Sequence, residues 1–167
     1  MYDELTEKDI KKIEAEIEYR KLVVRKEAIE AVKDARAQGD LSENFEYYAA
    51  KRAKNQNEGR IRYLERTIRT AKIISDDSKE DEVGLNNTVT VYFVEDDETE
   101  TYRLVTTIRG NSLKNIISID SPLGKALLGH KVNDTVHVQI NDKAGYDVII
   151  KQIENTVDDG TDALRSY

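Results

Sequence analysis

From Ile10 to Gln38 the chain carries neither Pro nor Gly, and its apolar residues fall at Ile10, Ile13, Ile17, Val24, Ala28, Ala31 or Val32, and Ala35. Steps of three, four and seven place them on one stripe of an α-helix whose other faces are charged. After a break, Phe45, Ala49, Ala53, Ile61, Leu64, Ile68 and Ala71 repeat this kind of spacing. A narrow stripe cannot bury itself, so the short connection predicts an antiparallel hairpin in which the two stripes face each other as a coiled coil. The 29 residues from Ile10 to Gln38 would extend about 43 Å at the helical rise, longer than a compact domain of this size is wide, so the hairpin is expected to project.

Charge supports extended helices over a single sphere. Charged residues make up 35% of the 167, against 38% hydrophobic, where an average chain carries about 25% charge. Residues 1–75 hold 17 basic and 15 acidic side chains, and residues 76–167 hold 9 and 18. The second half is therefore a poor polyanion binder alone. Residues 47–75, by contrast, carry eight basic side chains against only Glu58 and Glu65. The absence of Cys excludes disulfides, thiolate metal sites and a thiol nucleophile. The acidic start "MYDELTEKDIKK" lacks an apolar leader core, and no apolar run nears the roughly 20 residues of a membrane span. A soluble, cytoplasmic protein is expected.

The hairpin is assigned to residues 1–75 and a polar linker to 76–87, where "SDDSKEDEVGLNN" interrupts the helical pattern. "TVTVYFV" then alternates as a strand and turns through "EDDETE" into "TYRLVTTI". "IISI" reads as a short strand, and "SPLGKALLG" as a short helix with Ser121 as N-cap, Pro122 in its first turn and Gly129 as terminator. "TVHVQI" and "YDVIIKQI", joined by "NDKAG", form a second hairpin. Residues 88–154 are thus a small, mainly antiparallel α+β domain, and 155–167 read as a flexible tail. His130 and His137 lack the neighbours a metal site needs and are placed on the surface or in a strand.

Chemistry concentrates at the break, "QGDLSENFEYYAAK". Gly39 suits the left-handed conformation that ends a helix. Asp40 and Glu43 have capping-box spacing, which by itself favours a cap. The same spacing lets two carboxylates point together and share a divalent cation, although Mg²⁺ prefers six oxygens and would need more from another molecule. Lys51, Arg52 and Lys54 follow, equally suited to solvent or to phosphates. Tyr47 and Tyr48 could stack on bases, with packing the more common use.

"GDLSENFEYYAAK", "EGRIRYLE" and "SPLGKALLGHKVNDTVHV", in this order, resemble the Gre family of bacterial transcript cleavage factors, on its A-type side. The resemblance spans about residues 5–154. It implies a coiled-coil hairpin followed by a domain similar to the FK506-binding-protein fold, and a monomer that enters the secondary channel of bacterial RNA polymerase. There Asp40 and Glu43 would help hold a Mg²⁺ of the polymerase active site and promote cleavage of the nascent RNA 3′ end. The factor would have no cofactor of its own and would not be a complete enzyme. Tyr47 matches the family's usual Tyr, and Asp120, Ser121 and Pro122 match its polymerase-docking segment. Alternatives are a channel-binding inhibitor, or a coiled-coil module without a catalytic role. Phe45 stands where the family commonly has a small residue, and Ser42 where a basic one can occur.

Overall fold

The computed structural model describes residues 3–39 and 44–166. It divides into two compact units, Asp9–Ala71 and a second made of Asp3–Lys8 with the chain from Lys72 onward.

The first unit is helical. Helix α1 (Glu7–Tyr19) passes through a π-helical turn (Arg20–Val24) into α2 (Arg25–Arg36), and α3 (Phe45–Thr70) returns. As the first arm advances through Glu16, Arg20, Arg25 and Ala35, its partners run backwards through Arg60, Asn57 or Glu58, and Asn44, so the arms are antiparallel.

The inward stripe of α3 differs from the expected one in its first half. Phe45, Ala49 and Ala53 are exposed, while Tyr47, Ala50, Lys54, Asn57, Ile61, Leu64 and Ile68 are buried or half-buried. These positions alternate steps of three and four, a heptad seam. The sequence hides it because Lys and Asn occupy two of its places.

On the first arm the inner positions are Ile13, Ile17, Arg20, Val24, Ala28, Val32 and Ala35, all buried or half-buried, and Ala31 is exposed. Three successive steps of four between Arg20 and Val32 make this series one residue longer than an unbroken heptad. The π turn absorbs that residue, with the Arg25 N–H donating to the Arg20 carbonyl. A side chain of the opposite arm meets it. Asn57, buried, donates from Nδ2 to the same Arg20 carbonyl at 3.3 Å and accepts from Arg20 Nη1 at 3.0 Å. A side chain that claims a ladder carbonyl locally rearranges the helix.

The second unit contains a short parallel pair, β1 (Glu4–Leu5) with β2 (Lys72–Ile73). Its main sheet has β3 (Thr88–Phe93), β4 (Glu98–Val105), β5 (Ile116–Ser118), β6 (Thr135–Gln139) and β7 (Gly145–Glu154) in the order β5-β4-β3-β7-β6. All pairings are antiparallel except β4 with β5. Helix α4 (Pro122–Leu127) contributes Leu123 and Leu127 to a core with Val89, Val91, Leu104, Val138, Val148 and Ile150. The sequence thus folds as the α+β arrangement expected: a helical hairpin, then an antiparallel-dominated sheet with one short helix.

Two segments differ from their assignments. Within the linker at 76–87, Val83 and Leu85 belong to the sheet core. Val83 exchanges backbone hydrogen bonds with Gly129 and His130, as Asn86 and Asn87 do with Leu104. The tail at 155–166 is likewise fastened. The Arg109 side chain, 1% exposed, lies 3.0 Å from Asp162 and 3.7 Å from Asp158, and Arg103 also pairs with Asp162. Burial pushes the Asp162 carboxyl up, but the Arg103 and Arg109 guanidiniums outweigh it and hold it below the usual range. Ionic burial leaves no apolar period, so the sequence reads as a tail.

Candidate functional site

The end of the hairpin is built from the last turn of α2 and the first turns of α3. Ala37 ends α2, and Gly39 adopts φ +118°, a conformation that a side chain would strain. Asp40 and Glu43 lie outside the described residues. Helix α3 starts at Phe45 and is capped by Asn44, whose Oδ1 accepts from the Tyr47 N–H at 3.0 Å. The Asn44 Nδ2 donates to the Ala35 carbonyl at 2.6 Å. One amide therefore caps the second arm and ties it to the first. An Asn directly before a helical run signals this cap in the sequence, but the Asp40–Glu43 spacing obscures it.

The aromatics at this end separate into two roles. Tyr47 is 8% exposed, with the Arg36 guanidinium 5.5 Å from its ring centre. A hydrogen bond with Arg36 also lowers the Tyr47 phenol pKa. Tyr48 meets Tyr47 edge to face, ring centres 5.4 Å apart, yet is 47% exposed, and Phe45 is 86% exposed. The candidate Tyr47 is thus a packing residue, and the accessible rings are Phe45 and Tyr48. Lys51 and Arg52 are exposed, whereas Lys54 is half-buried on the seam.

In the sheet unit, Ser121 caps α4 by accepting from the Gly124 N–H at 3.1 Å and donates to the Ser118 carbonyl at 2.6 Å. The Asp120 N–H donates to Ser118 Oγ at 3.0 Å. This fixes the corner backbone and leaves the side chains of Asp120 and Pro122 exposed. Gly124 is obligatory here, since a Cβ would sit 2.1 Å from the Ser118 carbonyl oxygen. His130 and His137 are exposed, pairing with Asp134 at 3.2 Å and Asp147 at 2.8 Å. Among the described residues no group of three or more potential ligands could hold a metal, and no helix is long and apolar enough to cross a membrane.

Residues 4–73 match the family described as transcription elongation factor, N-terminal, and residues 77–155 match the C-terminal region of transcription elongation factor GreA/GreB. The chain belongs to the GreA/GreB family of transcription elongation factors. Transcription elongation factor GreA of Bacillus licheniformis is 48% identical over 81% of this chain and 86% of its own length. That of Streptococcus pneumoniae serotype 19F is 40% identical over 91% of this chain and 95% of its own. A solved structure of the transcription factor Gfh1 is 26% identical, covering 92% of this chain and 97% of that one, with a TM-score of 0.46. In this Gre factor the N-terminal match includes Gly39, Asp40, Glu43 and Asn44, and the C-terminal match includes Asp120, Ser121 and Pro122. Residues 156–166, held by Arg103 and Arg109, continue past it.

Proposed function

We propose that this Gre factor places the end of its hairpin in the secondary channel of bacterial RNA polymerase and stimulates cleavage of the RNA 3′ end in backtracked complexes. The observation that carries this reading is that the hairpin end is ordered by Asn44, which caps α3 and donates to the Ala35 carbonyl of the first arm. An N-cap supplied by Asn44 meets the helix start's need for an acceptor at Tyr47, and the two acids just before it in the sequence suit use toward another molecule. Two carboxylates offer too few oxygens for a resident Mg²⁺ but suit an ion shared with the polymerase. Asp40 and Glu43 would hold that ion together with groups of the polymerase, and it would supply electrostatic stabilisation of the charge that develops during phosphodiester cleavage.

The chain's own residues supply position. Asn44 and the Arg36–Tyr47 contact fix the hairpin end. Lys51 and Arg52, exposed just behind it, can hold RNA phosphates. Asp120 and Pro122, presented by the Ser121-capped corner, form the docking surface, and the factor acts as a monomer.

Stalled, backtracked complexes given the factor and Mg²⁺ should release short 3′ RNA fragments. Asp40→Asn with Glu43→Gln should lower the cleavage rate by at least two orders of magnitude while still competing with the wild-type factor for polymerase. Normal cleavage by the double variant would sink the assignment. Suppressed RNA synthesis without fragments would identify an inhibitor.

A further inference from the structure

The seam of α3 decides which way its first residues face. With Tyr47, Ala50, Lys54 and Asn57 turned inward, Phe45, Tyr48 and Arg52 follow steps of three and four along the opposite side, and all three are exposed. Residues three apart on a helix stand as neighbours. Phe45 and Tyr48, 86% and 47% exposed, therefore present two aromatic side chains within one turn of the hairpin end.

Single exposed apolar residues need no explanation. Here, however, the rings share a stripe with Arg52, with Lys51 exposed beside it, and their support is already ordered. Tyr48 rests edge-on against Tyr47, Tyr47 lies under Arg36, and Asn44 ties the same turn to Ala35. Residues 44–56 carry Lys51, Arg52 and Lys54 against Glu46 alone. An apolar protein groove has no use for those cations. Aromatic faces followed by positive charge suit a single-stranded nucleic acid, whose bases stack while its phosphates are neutralised.

We propose that Phe45 and Tyr48 form a stacking platform for the unpaired bases of the RNA 3′ end, beside Lys51 and Arg52 on its phosphates. The proposal rests on the polymerase reading above and adds two positioning residues to it. Phe45 and Tyr48 do not touch the reacting phosphate. They fix where the strand lies when it is cut.

The test compares cleavage in two backtracked complexes, one with ordinary extruded nucleotides and one whose extruded nucleotides are abasic, using full-length wild type, Phe45→Ala/Tyr48→Ala and Phe45→Tyr/Tyr48→Phe. On the ordinary end the alanine pair should be slower by on the order of tenfold, and the aromatic exchange should retain the wild-type rate. On the abasic end all three should cleave at one common, slow rate. Equal rates for wild type and the alanine pair on the ordinary end would overturn the platform. So would an equal loss on both ends, which would assign the rings to a protein contact or to folding. If wild type stimulates no cleavage in either complex, the polymerase reading itself fails and the platform with it.

Discussion

Midway along the hairpin the inner places are taken by Arg20, Lys54, Asn57 and Arg60, whereas the inner face of the sheet is Val, Leu and Ile almost throughout. Arg60 donates to Glu16 at 2.9 Å, Arg20 bonds both Glu16 and Asn57, and Arg25 grips Glu58 with two bonds of 2.7 and 2.9 Å. Apolar burial is strong and undirected, so a smooth seam would tolerate sliding by a heptad. Directed polar pairs hold only in one register. The hairpin thus trades core strength for a fixed position of its end, the property that the proposed entry into the polymerase channel requires.

The sheet unit uses the hairpin's method at Arg109, with Arg103 beside it, and that site offers the sharpest test. Arg109→Leu would leave Asp158 and Asp162 buried with much of their compensation gone. Removing one partner of such a group costs about 3–5 kcal/mol. Urea unfolding of the sheet unit should shift accordingly, and carboxypeptidase should trim residues 156–166 faster. An unchanged midpoint would show that this segment contributes nothing to the fold.

Asn57→Ala should have an intermediate effect. It frees the Arg20 carbonyl and removes an acceptor from the Arg20 guanidinium, a loss of about 1–2 kcal/mol. Because the π turn depends on this side chain, amide exchange at residues 20–25 should accelerate more than at Leu64 or in the sheet. Uniform acceleration along both arms would mean that the turn is set by the arm itself.

How much of this was legible follows the same division. Ile61, Leu64 and Ile68 were readable because apolar residues mark their seam, as were the alternating strands and the Ser121-Pro122 helix start. The seam at Lys54 and Asn57 was not, since polar inner residues erase the contrast on which periodicity depends. The π turn did leave a trace in the steps of four at Val24, Ala28 and Val32, but only the partner Asn57 gives it meaning. The tail was misread because Asp158 and Asp162 look like solvent residues until Arg109 is beneath them. At the site, spacing gave Asp40 and Glu43 two uses, and the resemblance to Gre factors chose between them. It could not place Phe45 outward, because that depends on the hidden phase of α3.

The smallest effect should come from the Arg25–Glu58 pair, and its pH dependence separates it from the rest. A hydrogen bond from Arg25, opposed by burial, holds the Glu58 carboxyl below its usual range, so its folded pKa is depressed. Stability from such a group is fully present above the unfolded value, about 4.3 for Glu, and is lost as pH falls through the folded value. Helix melting followed at 222 nm should therefore lose this contribution only below about pH 4.3. Arg25→Gln should flatten that part of the profile while changing the neutral-pH midpoint less than Asn57→Ala does. Both side chains are partly exposed, at 36% and 27%, so raising salt to about 1 M should shrink the difference between wild type and Arg25→Gln. A difference at neutral pH larger than that of Asn57→Ala, and insensitive to salt, would reverse the order argued here. The part-exposed pair would then be the main register lock and the buried amide its accessory.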